Sequence, residues 1–186
     1  MGNKFSELAF TPKVKKEQEL RGSRGSYARL EEGGTHNDEL GPREAAFISA
    51  RDSFYMATTS ETGWPYIQHR GGPVGFVHIL NGKAIKFADF KGNRQYISVG
   101  NLRSDDRVSL FFMDYPNQTR LKLLGRASLV ESTEVQIKEK FLDSGYRARI
   151  ELCVLITVEA YDWNCPQHIA QRFTRNELSQ FEVQSK

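Results

Sequence analysis

Cysteine is nearly absent. The 186 residues hold two, Cys153 inside the apolar run LCVLITV and Cys165 beside Pro166, which leaves neither a disulfide framework nor a C-x-x-C metal knuckle, and free thiols are expected. Long hydrophobic runs are missing too. No stretch approaches the ~20 apolar residues needed to cross a bilayer, and the opening MGNKFSELAFTPKVKKEQEL is too polar for a secretory core, so a cytoplasmic protein is expected. The length suits one compact domain and excludes a large multidomain machine. Signature motifs are also lacking: there is no G-x-G-x-x-G after a strand, no G-x-x-x-x-G-K-[ST], no G-x-S-x-G and no H-E-x-x-H. Rossmann, P-loop, α/β-hydrolase and zincin readings therefore have no footing. His36, His69, His78 and His168 are scattered without ligand spacing, so no metal is expected. The acidic pairs Asp105-Asp106 and Glu31-Glu32 sit in charged, turn-like surroundings and read as solvated surface.

The basic surplus is confined to one end. Residues 1–30 carry seven basic and three acidic side chains, whereas the remainder is close to neutral. A nucleic-acid binder would place its positive stripe on the folded body, so nucleic acid is not an expected partner. Residues 1–40 read as an arm with a short helix over 12–20, Thr11 as its N-cap and Pro12 at its first position. Gly22, Gly25, Gly33 and Gly34 then interrupt any periodic pattern. A second helix is predicted from Pro42, closed by Asp52 and Ser53.

From Phe54 the chain turns to short β-rich runs: FYMATTS, YIQHR, GFVHIL, KAIKFAD, RVSLFFM, LKLLGRASLV and the long RIELCVLITVEAYDW. Turn residues separate them, as in an antiparallel barrel or sandwich of about six strands. Asn81-Gly82 predicts a hairpin with a type I′ turn, which needs positive φ at both positions. NRQYISVGNL predicts a helix ending near Gly100, Thr133-x-x-Gln136 another, and Thr174-x-x-Glu177 a terminal one. The fold class is mainly β with flanking helices, with the body over 41–186.

Two segments look built for an anion: Gln68-His69-Arg70-Gly71-Gly72-Pro73 at a strand end, and Gly92-Asn93-Arg94-Gln95 at a loop-to-helix junction. Free N–H groups at a helix start, close-approaching glycine backbone and the planar guanidinium fork all suit phosphate. A capped helix carrying a surface arginine explains the second segment equally. In Arg120-Leu121-Lys122-Leu123, alternation puts Arg120 and Lys122 on one face, which an exposed edge strand also explains. Trp163-Asn164-Cys165-Pro166-Gln167-His168 combines a flat apolar ring with amide and imidazole groups, a set suited to an aromatic heterocycle or to a corner that closes a barrel.

Taken together, PYIQHRGGPVGF, FADFKGNRQYISVGNL, RVSLFFMDYPNQTRLKLLGRA and TVEAYDWNCPQHI resemble the flavin-nucleotide-binding proteins of the pyridoxamine 5′-phosphate oxidase-like family, over roughly residues 42–175. The resemblance implies an antiparallel split β-barrel forming homodimers, with FMN in grooves between subunits. It implies that Arg70, Asn93 and Arg94 hold the FMN phosphate, with Gly71 beside them. It places the backbone around Ala88-Asp89 along the ribityl chain or ring, and Arg120, with Leu121, near the pyrimidine side of the isoalloxazine. The segment carrying Trp163, Asn164, Gln167 and His168 is similar to the part that reaches the partner subunit's flavin. The ending RFTRNELSQFEVQSK has no obvious equivalent of the arginine-rich stretch with which the oxidases grip pyridoxal phosphate, so that reaction is not expected. The resemblance thus implies an FMN-dependent oxidoreductase acting with a small-molecule substrate or electron donor. The alternative is a flavin- or tetrapyrrole-carrying protein without turnover, in which His168 or His69 approaches a haem. No side chain reads as a compelling general base.

Overall fold

The computed structural model describes residues 2–33, 36–131, 146–163, 165–175 and 177–179. The predicted helix at Thr133-x-x-Gln136 lies outside them. Strands β1 (Ser53–Thr59), β2 (Pro65–Gly71), β3 (Val77–Asn81), β4 (Ala84–Phe90), β5 (Arg107–Asp114), β6 (Thr119–Glu131) and β7 (Ile150–Trp163) form one sheet in the order β2-β1-β5-β6-β7-β4-β3. Every pairing is antiparallel. The sequence pattern pointed to about six strands; all seven of its apolar runs form strands. The sheet curls into the split barrel of its fold class. Arg70 on the edge strand β2 reaches Asp89 on β4, one strand in from the opposite edge.

Alternation decides which face is inside. On β5, Val108, Leu110 and Phe112 are buried while Ser109, Phe111 and Met113 are less so. On β6, Leu121, Leu123 and Ala127 point the same way. At the centre Phe54 meets Phe112, Phe87 and Phe76 at ring-centroid distances of 5.0, 5.1 and 5.8 Å. Where the register of β6 on β7 shifts, Gly125 lets the backbones close up: a Cβ there would lie 2.5 Å from the Thr157 carbonyl oxygen and 2.7 Å from the Ile156 side chain. Gly125→Ala is expected to cost about 1–3 kcal/mol, the usual penalty of overpacking, and urea unfolding checks it.

The Asn81-Gly82 hairpin forms, but not by the predicted turn. Neither residue has a left-handed φ; Asn81 Oδ1 accepts from Lys83 N at 2.8 Å, and the ladder shifts register beside the turn. A Cβ at Gly82 would sit 2.5 Å from the exposed Glu39 side chain, which would have to swing aside to admit it.

The N-terminal residues hold three helices, α1 (Lys4–Ala9), α2 (Pro12–Leu20) and α3 (Arg24–Gly33). Thr11 caps α2 as predicted, accepting from Val14 N. The expected interruption at Gly25 does not occur, and α3 runs through it. Arg24 pairs with Gln18 and Glu31, and Lys15 with Glu31, so contacts between α2 and α3 outweigh the ~1 kcal/mol that glycine costs a helix. The arm is tied down on β7 and β6: Tyr161 exchanges hydrogen bonds with Asn37, and Lys122 Nζ sits 4.5 Å over the Phe5 ring. Helix α4 (Pro42–Ser49) starts at Pro42 as predicted, with Glu44 accepting from Gly41 N. Thr174 and Glu177 make the reciprocal capping bonds expected of them.

Helix α5 (Ile97–Ser104) departs from expectation. It begins after Asn93-Arg94-Gln95 and passes Gly100. Arg94 and Tyr96 have φ of 63° and 51°, a left-handed backbone that cannot propagate a right-handed helix. The anion-suited residues therefore stand in the loop before α5 rather than in its first turn.

Candidate functional site

Curling of the sheet leaves a cleft of about 310 Å³ between the β2 edge, the end of β4 and the loop into α5. Alternation on β2 sends Tyr66, Gln68 and Arg70 into it. Asp89 enters from β4, Glu151 from the start of β7, and Asn93, Arg94 and Tyr96 from the loop. Ser98 at the start of α5 donates to Gln68 Oε1 at 2.8 Å, and Asn101 donates to Thr58 Oγ1 at 2.9 Å, so α5 is pinned to β1 and β2.

Arg70 has a side chain only 12% exposed, forms an ion pair with Asp89, and lies 6.0 Å over the Phe87 ring. Its Nε is buried and finds no hydrogen-bond partner among the described residues. Burial pushes the Asp89 carboxyl above its usual range; Arg70 pulls it down by less, and Glu151 adds repulsion. Arg94 is exposed, its Nε donating to the Tyr96 hydroxyl at 3.4 Å, while that hydroxyl donates to Glu151 at 3.2 Å. Asn93 Oδ1 accepts from Gln95 N at 3.2 Å and holds the turn. Two guanidinium groups thus face one cavity, each answered by a carboxylate. Such a cavity has donors for a phosphate but no net positive charge.

Of the residues singled out in the sequence, Arg70, Asp89, Asn93 and Arg94 share this cleft. Gly71 closes β2 opposite Ser53 and sits beside the His69 ring. The Ala88 methyl is buried in the core, so only its backbone can serve a ligand. Arg120, Leu121 and Trp163 lie elsewhere on the chain. Leu121 is fully buried opposite Trp163, and Arg120 lies opposite Met113 with a buried Nε that finds no partner among the described residues. The Trp163 ring packs edge-on against Phe47, under the Arg43 guanidinium at 4.2 Å, and its Nε1 donates to Glu44 at 2.7 Å. Gln167 and His168 are exposed beyond β7, His168 with a left-handed φ of 64°, and Asn164 lies outside the described residues. Sequence reasoning missed Tyr96 and Glu151; a glutamate directly before the apolar run LCVLITV was the available signal for Glu151. Among the described residues no cluster of His, Cys, Asp and Glu could hold a metal, and no helix is long and apolar enough to cross a membrane.

No curated protein matches the chain. Solved structures share its fold. An FMN-binding protein from Syntrophomonas wolfei subsp. wolfei superposes with a TM-score of 0.55 at 14% identity, over 79% of this chain and 97% of that one. HupZ from Group A Streptococcus gives 0.53 at 16% identity over 72% and 100%, and an F420 reductase gives 0.50 at 13% over 66% and 98%. The family model for pyridoxamine 5′-phosphate oxidase matches residues 40–164, a span that runs from before α4 to the end of β7 and contains the whole cleft. By that match the chain belongs to the pyridoxamine 5′-phosphate oxidase family.

Proposed function

We propose that the chain is an FMN-binding flavoprotein and an oxidoreductase related to the pyridoxamine 5′-phosphate oxidases. The observation that carries this reading is that Arg70 and Arg94, far apart in sequence, line one cleft together with Asn93. The donors fit a phosphate: the loop guanidinium is open to solvent, and the buried Arg70 has an N–H still without an acceptor. Arg70, Asn93 and Arg94 would hold the phosphate, and the Ala88-Asp89 backbone would lie along the ribityl chain. FMN would supply hydride and electron transfer, and the protein binding, orientation and electrostatics.

The active unit is a homodimer in this reading. Arg120, with Leu121, and the described residues of the closing segment, Trp163, Gln167 and His168, are not among the residues that line the phosphate cleft of their own chain. They would serve the ring of a flavin held by the partner subunit. An outer sheet face carrying exposed Tyr55 and Ile67 is available to meet a second copy. The Arg120 guanidinium would set a positive charge beside the ring, where a cation favours the more negatively charged reduced state. Arg120→Ala is then expected to lower the bound flavin's midpoint potential, measured by spectroelectrochemistry; an unchanged potential removes Arg120 from the ring.

The test of the whole reading is the visible spectrum of the untreated, purified protein with the mass of any extracted chromophore. A flavin band bleached by dithionite, with the mass of FMN, supports it. A Soret band points to the tetrapyrrole alternative.

A further inference from the structure

Both cations of the cleft are already answered, and this limits what can enter. Arg70 is paired with Asp89, and Arg94 is linked through the Tyr96 hydroxyl to Glu151. The lining residues carry two positive and two negative side chains. A phosphate dianion arriving here would meet a neutral site with a buried carboxylate beside it. Like charges at such range in a low-dielectric cleft cannot both persist at little cost.

Resting on the phosphate reading above, we propose that Asp89 makes ligand binding in this cleft proton-coupled: it releases Arg70 to the incoming phosphate, takes one proton from solvent, and donates the resulting O–H to a phosphate oxygen. One proton is consumed, one ion pair is exchanged for another, and no covalent bond of the ligand changes. The groups that face Asp89 are consistent with this. From β2 comes Arg70, the charge that favours the ionised carboxylate. From β7 comes Glu151, which repels it, while Arg94 and Tyr96 from the loop are turned toward Glu151. Burial already lifts the Asp89 carboxyl above its ordinary range, and transferring Arg70 to a phosphate removes the main opposing influence. Glu151 cannot substitute, being further out and bonded to Tyr96.

The linkage has a definite sign. The bound state holds one more proton than the free state, so affinity falls as pH rises, by up to about tenfold per pH unit. FMN, and riboflavin as the probe without a phosphate, are titrated into wild type and Asp89→Asn between about pH 6 and about pH 8, with calorimetry in two buffers of different ionisation enthalpy. At the upper end a free phosphomonoester is already a dianion, its second pKa being about 6. Wild type is expected to take up one proton with FMN and none with riboflavin. Asp89→Asn, whose amide can donate without titrating, is expected to take up none and to bind FMN more tightly than wild type near pH 8. FMN binding with equal proton uptake in both proteins overturns the inference, as does FMN binding by wild type with no uptake. Should the variant not fold, the wild-type comparison of FMN with riboflavin decides alone. A wild-type protein that binds FMN at no pH overturns the phosphate reading instead.

Discussion

Arg94→Ala is expected to weaken FMN binding by about 1.5–3 kcal/mol, a loss of roughly 10- to 150-fold, because it deletes a charge-assisted contact to the phosphate. The fold should not suffer. Arg94 is exposed and its bond within the protein is to the Tyr96 hydroxyl, so its removal strands no buried charge. Tyr96 keeps its bond to Glu151. Arg94→Lys preserves the charge but not the planar fork and should restore only part of the affinity. Quenching of flavin fluorescence on titration measures both variants, with thermal melting as the control for folding. Unaltered affinity in Arg94→Ala would place the phosphate elsewhere.

Phe54→Ala is expected to destabilise the fold by about 3–5 kcal/mol, through lost apolar burial and the cavity left behind. Phe54 is 1% exposed and is the ring on which Phe76, Phe87 and Phe112 converge. These residues come from β1, β4, β5 and the turn before β3, so no single element can move to refill the space. At about 2–4 °C per kcal/mol for a chain of this size, the melting temperature should fall by roughly 6–20 °C. The damage would extend to the cleft, because Phe87 is the ring beneath Arg70. Phe54→Leu keeps most of the volume and should cost markedly less in both respects.

Much of this architecture is legible in the residues because the signals are local. Alternation over RVSLFFM and LKLLGRASLV specifies which side chains are buried, and turn residues mark the ends of the strands. Pro42 and Thr11 mark helix starts for reasons that need nothing beyond the first turn. What was misread depends on distant partners. Asn93-Arg94-Gln95 looked like a helix start, yet the backbone at Arg94 and Tyr96 is left-handed, and the Tyr96 hydroxyl is held by Glu151 on a strand far along the chain. Gly25 looked like a breaker because the contacts joining α2 and α3, Arg24 to Gln18 and Lys15 to Glu31, are invisible to a local pattern. The Arg70–Asp89 pair is hidden for the same reason, since it exists only once the sheet has curled. For Trp163, the bond to Glu44 joins the last strand to α4 and could not be read from the WNCPQH segment.

The walls of the cleft are contributed by β2, β4, β7 and the loop into α5, so the cavity comes into being only when the barrel is complete. Whatever molecule settles there has no purchase on the unfolded chain, and its binding energy is passed in full to the cooperative melting of the barrel. A library of phosphorylated and unphosphorylated metabolites can therefore be screened by the rise in melting temperature alone. The true occupant would declare itself as heat resistance before any reaction has been assigned.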